Sequence, residues 1–169
     1  MIIYKDIISN DELFTDVYPI TETAIFYEVQ GKHITIVNGD IDGSLIGANA
    51  SAEEQDEGTD KSSVSGINVV LHNKLVETSY DKKSYIPYIK EYLKKIREKL
   101  EIDNPERVDK FMADASAEVK KLIPELKNLQ FFTGESMNPE GMVAILDYRE
   151  DQVTPYLRFF KDGLLEEKC

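Results

Sequence analysis

The chain of 169 residues carries 20 basic and 32 acidic side chains, a formal charge of −12 at pH 7. Binding of free nucleic acid needs a net basic surface, so this charge favours proteins and cations as partners. The length fits one domain, residues 1–169, with a core that needs no disulfide or metal. No apolar run approaches the ~20 residues of a membrane span, and Lys5 and Asp6 interrupt the only apolar start. The sequence therefore predicts neither a membrane segment nor a secretory signal.

The first third of the chain predicts three strands, at residues 2–8, 24–30 and 33–37. Residues 9–12 form a turn-rich acidic break, and Gly31-Lys32 suggests a hairpin between the second and third strands. Residues 38–65 then contain seven acidic side chains, one lysine and few large apolar residues. Such a segment buries too little surface to offset chain entropy, so it is predicted to be an acidic mobile loop, chiefly at 48–63.

Two more strands, at 64–71 and 75–80, are predicted to pair with each other, and strands at 129–133, 142–148 and 153–160 follow the helices. Pro155 favours an edge position or a bulge for the last strand, because proline cannot donate to a sheet. Strands on both sides of a helical hairpin predict an α+β fold, with a mostly antiparallel sheet assembly.

The helical hairpin occupies residues 82–127, with apolar positions at helical spacing in 84–100 and 105–126. Pro105 suits a first helical position, Asn104 or Asp103 is a candidate cap, and Pro124 should kink or end the second helix. The hairpin carries 12 basic and 9 acidic residues, net +3, which leaves −15 on the rest of the chain. Its basic positions include Lys90, Lys94 and Arg97, spaced as one stripe that Lys95 and Lys99 extend. This stripe is either a binding surface for negative charge or a solvated face whose charge is partly neutralised by intrahelical ion pairs such as Glu91 with Lys95.

Catalytic signatures are missing from the sequence, which lacks a GxSxG motif, a phosphate-cradling glycine loop, CxxC and HExxH. His33 and His72 both fall in predicted strands, where a lone histidine is more often structural than catalytic. Paired carboxylates such as Glu53 and Glu54 lie in the predicted mobile loop, where nothing shifts their proton affinity. The sequence therefore predicts a protein that is not an enzyme.

Calcium is the cation that the acidic segment suggests. The stretch NGDIDG at 38–43 matches the first half of a helix–loop–helix calcium loop, with Asp40 and Asp42 as oxygen ligands. The twelfth position, which requires a bidentate glutamate, is Asn49. Two interpretations remain open: a weak site at Asp40 and Asp42, or an acidic turn that concentrates counter-ions without a defined site.

Two internal stretches and both ends of the chain resemble one family. IGANASAE at 46–53 and FFTGESMNPEGMV at 131–143 resemble the two signatures of the translationally controlled tumour protein family. MIIYKDI at 1–7 and SNDELF at 9–14 look like its opening. DYRED at 147–151, FFKDG at 159–163 and EKC at 167–169 look like its close. The resemblance covers essentially the whole chain in order.

The resemblance implies a compact β-tent core with the helical hairpin and the acidic loop attached. This fold is similar to that of chaperones of nucleotide-free small GTPases, which hold zinc through CxxC pairs that this chain lacks. Family members are described as abundant, growth-linked cytoplasmic proteins that bind calcium and tubulin and oppose apoptosis with Bcl-family proteins. Regulation of a Ras-like GTPase is a second implied function, and export without a signal peptide as a cytokine-like factor is a third.

The family's functional positions map onto this sequence one at a time. Glu12 matches the glutamate implicated in GTPase contact. Lys90, Lys94, Lys95 and Arg97 match the region assigned to tubulin and calcium. Ser44 matches a serine that mitotic kinases modify.

Cys169 matches the terminal cysteine linked to dimers of exported members, whereas the cytoplasmic protein is expected to be mostly monomeric. An idle thiol is the alternative interpretation of this cysteine. Pro124 departs from the alanine expected at that place, so the end of the second helix is expected to differ from that of relatives.

Overall fold

The computed structural model describes residues 1–37 and 63–168, and these form an α+β fold. In chain order its strands are β1 (Ile2–Asp6), β2 (Glu12–Thr15), β3 (Ile20–Glu22), β4 (Phe26–Gln30), β5 (His33–Val37), β6 (Ser63–Ile67), β7 (Val76–Thr78), β8 (Gln130–Thr133), β9 (Ala144–Tyr148), β10 (Pro155–Phe160) and β11 (Leu164–Lys168). Its helices are α1 (Asn68–His72), α2 (Lys82–Asp103) and α3 (Val108–Leu122). No helix within these ranges is long and apolar enough to cross a membrane.

The described strands form three sheets in which every pairing is antiparallel. The largest has the order β3-β4-β10-β9-β8-β7, and a three-stranded sheet has the order β11-β1-β2. Strands β5 and β6 form a separate two-stranded ribbon on either side of the acidic segment. The predicted antiparallel α+β architecture is therefore confirmed.

Helix α2 begins with a capping box, because the Asp81 carboxylate accepts the Ser84 N–H while the Ser84 side chain accepts the Asp81 N–H. All six apolar positions that the periodicity predicts to face the core are buried, namely Tyr85, Ile89, Tyr92, Leu93, Ile96 and Leu100. The predicted period and face of this helix are confirmed. Pro87 lies inside the helix, a feature that the periodicity alone does not indicate.

Helix α3, the second helix of the hairpin, is preceded by a 3-10 turn at Pro105–Arg107 and followed by another at Ile123–Asn128. The predicted effect of Pro124 is confirmed, because the α-helix ends at Leu122 and continues only as the tighter turn. The predicted side-chain cap is wrong, since Asn104 makes no capping hydrogen bond before Pro105. Instead, Arg107 anchors this end of the hairpin. Its guanidinium donates two bonds of 2.8 Å to the Asp162 carboxylate and one of 2.9 Å to the Ala24 carbonyl.

The six-stranded sheet is the middle layer of the core and is covered on both faces. Helix α2 covers one face, where the ring centroids of Tyr85 and Phe131, and of Tyr92 and Phe160, lie 5.6 Å apart. The three-stranded sheet covers the other face, where Phe14 and Phe159 lie 4.5 Å apart. Aromatic pairs at these distances contribute about 0.5–1.5 kcal/mol beyond their area burial.

Two predicted strand pairings are wrong. The predicted hairpin at Gly31-Lys32 does not form, because β4 pairs with β3 and β10 whereas β5 pairs with β6. The Gly31 N–H donates instead to the Pro155 carbonyl, at 3.0 Å. The predicted strand at 64–71 ends at Ile67 and is followed by α1, and β7 pairs with β8. Both errors arise because local apolar runs do not specify which distant strand completes the hydrogen bonds.

The placement of Pro155 also corrects the sequence interpretation. Strand β10 begins at Pro155 and lies in the interior of the sheet between β4 and β9, so the predicted edge position is wrong. Proline is tolerated at the first residue of a strand, where its missing N–H interrupts no continuing ladder. The predicted acidic loop at 38–65 is also too long at its end, because β6 starts at Ser63. The remainder of that loop, including 48–62, lies outside the described residues.

Candidate functional site

The two histidines occupy separate places and each contacts a tyrosine. The His33 Nε2 lies 3.2 Å from the Tyr148 hydroxyl, and the His72 Nδ1 lies 3.4 Å from the Tyr18 hydroxyl. His72 ends helix α1, so its predicted place in a strand is wrong. Within residues 1–37 and 63–168, no group of three or more His, Cys, Asp or Glu side chains is arranged to hold a metal ion. Each histidine thus contacts one tyrosine hydroxyl, and neither belongs to a metal-binding group within these ranges.

Glu12 is exposed at the first residue of β2, and the turn before it is held in place by contacts with a distant part of the chain. The preceding Asp11 carboxylate accepts two hydrogen bonds from Ser136, at 3.2 Å from its N–H and 2.6 Å from its hydroxyl. Gly134 leaves no space for a side chain, because a Cβ there would clash with Asp11. The predicted contact residue therefore projects from a turn that rests on the 134–141 turn.

Asp6 holds these same two turns together from the interior. Its side chain is 2% exposed and accepts hydrogen bonds from the Ile8 N–H at 2.8 Å and the Ser9 hydroxyl at 2.9 Å. It also accepts one from the Met142 N–H at 2.7 Å. Gly141 is required beside it, since a Cβ at that position would lie 2.6 Å from the Asp6 carboxylate. The sequence interpretation missed this role, although Asp6 alternates in phase with buried Tyr4.

Glu12 stands at the rim of a polar cleft of about 430 Å³. The cleft is formed where the 10–12 turn approaches the end of α1 and the turn after β8, and its lining includes Asp11, His72, Lys74 and Glu135. Lys74 and Glu135 form a loose, exposed ion pair of 3.8 Å across it. The cleft is open and charged, which suits contact with another protein's polar surface.

The predicted basic stripe is only partly confirmed as a shared face. Lys90 and Lys94 are exposed, and neither has an ion-pair partner among the described residues. Arg97 lies on the same side of α2 but is half-buried, and its Nε is enclosed without a hydrogen-bond partner in the described part of the chain. Lys83 is exposed and lies two turns before Lys90, so the same spacing places it on the stripe. We define the cationic stripe as Lys83, Lys90, Lys94 and Arg97.

Lys95 and Lys99 do not extend the stripe, which corrects the sequence interpretation. The Lys95 ammonium is paired with Glu140 of the turn before β9, not with Glu91. Lys99 pairs with Asp103 one turn along the helix, at 2.7 Å. At ~100° per residue, positions 95 and 99 face a different side of the helix from position 90. Lys95 therefore contributes to an intramolecular contact instead of the exposed face.

Four predicted site residues lie outside the described residues, namely Asp40, Asp42, Ser44 and Cys169. The weak calcium site, the modified serine and the dimerising cysteine accordingly stay predictions of the sequence. The described residues with assigned roles are Glu12 and the four basic positions of α2, and their roles in binding also stay predictions.

These observations define an α+β protein with a fixed aromatic core and exposed charged surfaces. The sequence profile of the translationally controlled tumour protein family matches residues 1–165. The translationally-controlled tumor protein homolog of Danio rerio is 62% identical over 171 residues, and the human protein of that name is 54% identical over 172, with 100% of each chain covered. This chain belongs to the translationally controlled tumour protein family.

Two solved structures of relatives have the same fold. The translationally controlled tumor-associated protein p23fyp from Schizosaccharomyces pombe aligns with a TM-score of 0.83 and 46% identity over 100% of both chains. The translationally-controlled tumor protein from Caenorhabditis elegans aligns with a TM-score of 0.72 and 32% identity, covering 100% of this chain and 99% of its own. The resemblance seen in the sequence is thus confirmed at the level of the family.

The contact between Lys95 and Glu140 predicts a pH effect. The hydrogen bond from Lys95, and then its charge, lower the pKa of Glu140. A carboxylate whose pKa is lowered in the folded chain stabilises the fold above its unfolded pKa of about 4.3. This contribution is lost as the pH falls through the lowered value. We expect Lys95→Met to raise the pKa of Glu140 towards the ordinary value in a carboxyl NMR titration.

Glu22 is the matched control for this titration, because its pKa is lowered by a hydrogen bond from a different lysine, Lys161. The Lys95→Met substitution should leave the titration of Glu22 unchanged. A Glu140 that titrates at the same pH in both proteins would show that Lys95 does not lower its pKa.

Proposed function

We propose that this protein is a non-enzymatic binding protein whose cationic stripe contacts acidic segments of other proteins, of which the acidic tails of tubulin are the first candidate. The observation that carries the proposal is the exposure of Lys90 and Lys94 on one helix face without ion-pair partners in the described ranges. The rest of the chain is strongly acidic, so these positions offer a distinct place for a partner's negative charge. The proposal includes a cytoplasmic location.

The energetics of such a contact set its expected behaviour. An exposed ion pair contributes only about 0–1 kcal/mol, so affinity requires several pairs formed together. Such pairs are screened by salt, with a Debye length of about 10 Å at 0.1 M ionic strength. Binding through the stripe should therefore be modest and should weaken steeply as salt is added.

The first experiment reverses charge on the stripe. We expect the double variant Lys90→Glu/Lys94→Glu to lose tubulin co-sedimentation by about tenfold at low salt, because two attractive pairs become repulsive. Arg97 is left unchanged because its half-buried Nε gives its substitution a structural effect. The measurement is the bound fraction in a microtubule pelleting assay at two ionic strengths.

The matched control is Lys120→Glu/Lys127→Glu, which makes the same change in net charge at two exposed lysines away from the stripe. Lys120 lies in α3, and Lys127 lies in the 3-10 turn that follows it. This control should retain most of the binding. Equal losses in both double variants, or no loss in either, would contradict the assignment of binding to the stripe.

A second candidate function is regulation of a Ras-like small GTPase through Glu12. The observation that favours it is the exposed carboxylate at the rim of an open cleft, beside a turn braced by Asp11 and Ser136. A carboxylate presented in this way is able to disturb the magnesium and phosphate site of a bound GTPase. This would be an effect of binding and would not involve covalent catalysis.

The test is the rate of nucleotide release from the GTPase with the wild-type protein and with Glu12→Gln. We expect the substitution to abolish the acceleration, because it removes the charge while keeping the side chain's size. Glu166→Gln is the control, since Glu166 is exposed on β11 of the same three-stranded sheet. Release rates that are equal with Glu12→Gln and wild type would leave this function unsupported.

A further inference from the structure

A pocket of about 290 Å³ lies between helix α2 and the turn that precedes β9. Three tyrosines and two prolines supply its apolar lining, and two glutamates stand at its rim together with Lys95: Tyr80, Tyr88, Tyr92, Pro87, Pro139, Glu91 and Glu140. The pocket adjoins the cationic stripe along one edge, because Pro87 lies two turns before Lys94 and Glu91 lies three residues before it. Its volume is near the lower limit of small-molecule sites, so it suits a single side chain better than a helix.

The tyrosines offer their rings to this pocket. The Tyr88 hydroxyl is occupied, because it donates to the Gly141 carbonyl at 2.6 Å and accepts from the Val143 N–H at 3.1 Å. The ring of Tyr80 lies beside it, with centroids 5.4 Å apart and planes tilted by 36°. Aromatic faces attract cations, and they bind a planar guanidinium by stacking as well as by charge.

The rim supplies the opposite charge. Glu91 is exposed and has no ion-pair partner in the part of the chain described here. Glu140 is also exposed, with 69% of its side chain accessible, and it pairs with Lys95. With Lys95 included, the lining keeps a net negative charge. Carboxylates beside aromatic rings are the pattern that recognises an arginine side chain.

We propose that this pocket binds an arginine side chain of a partner protein. The guanidinium would stack on Tyr80 and Tyr88 and pair with Glu91 at the rim. Lys95 would compete with this arginine for Glu140, because its ammonium already pairs with that carboxylate. The net charge of −12 on the whole chain adds a long-range attraction for a basic partner.

The role of Lys95 separates this site from the stripe. If Lys95 belonged to a surface for acidic partners, its removal would weaken binding there. In the arginine pocket its removal strengthens binding of a cation, because Glu140 becomes available. The two sites therefore predict opposite signs for the same substitution.

The experiment is an NMR titration of the full chain with N-acetyl-arginine methylamide. The matched probe is N-acetyl-citrulline methylamide, which has nearly the same shape but no charge. We expect saturating shifts of the Tyr80 and Tyr88 ring signals and of the Glu91 amide with the arginine probe. Citrulline should bind at least about fivefold more weakly. Equal affinities for the two probes, or no saturating shifts at these residues, would overturn the proposal.

Single substitutions test the roles of Glu91 and Lys95 in this pocket. Glu91→Gln should lower the affinity for the arginine probe about twofold to fivefold, as loss of one exposed charge pair implies. Lys95→Met should raise it by a similar factor. Glu98→Gln is the matched control, because it removes an equal charge at an exposed position of α2 outside the pocket. A loss as large in Glu98→Gln, or a weaker affinity in Lys95→Met, would contradict the site.

Ring variants test the aromatic contribution. Tyr80→Phe should retain the affinity, whereas Tyr80→Leu should lower it, because only the former keeps a π face. The dispersion of the amide spectrum shows whether each variant is folded. Equal affinities in the folded leucine and phenylalanine variants would contradict a stacked guanidinium.

Discussion

Asp6 is the one charged residue buried within residues 1–37 and 63–168, and two turns of the surface depend on it. Its carboxylate accepts hydrogen bonds from Ile8 and Ser9 and from Met142, which lies more than 130 positions further along the chain. A buried carboxylate is costly unless it is fully hydrogen-bonded, so this arrangement tolerates little change. Through it, the turn that presents Glu12 and the turn that carries Glu140 are fixed relative to each other.

Helix α2 places surfaces of different chemistry on its separate sides. One side is buried against the six-stranded sheet through Tyr85 and Tyr92. A second carries the exposed Lys90 and Lys94, and a third forms the aromatic pocket with Glu91. Because the buried side fixes the rotation of the helix about its axis, it also fixes the direction in which the other two sides point. The exposed lysines and the carboxylate of Glu91 therefore hold fixed positions relative to each other on one helix.

The sequence was sufficient for features that depend on local chemistry. The buried face of α2 followed from apolar spacing, and the end of α3 before Pro124 followed from the missing proline N–H. Strand pairings between distant parts of the chain could not be predicted from the sequence, because an apolar run does not specify which strand it pairs with. The ladders of β4 with β10 and β7 with β8 are examples. At the sites, spacing found the stripe at Lys90 and Lys94, but it could not show that Glu140 pairs with Lys95.

Amide hydrogen exchange in Asp6→Ala tests directly whether this buried carboxylate couples the two surface turns. We expect the substitution to lower the free energy of unfolding by about 2–4 kcal/mol, because buried N–H donors lose their acceptor. We also expect the amides of residues 7–12 and 134–142 to exchange faster together while those of α2 stay protected. Unchanged protection in both turns, or faster exchange in only one of them, would contradict the claim that Asp6 couples the two surfaces.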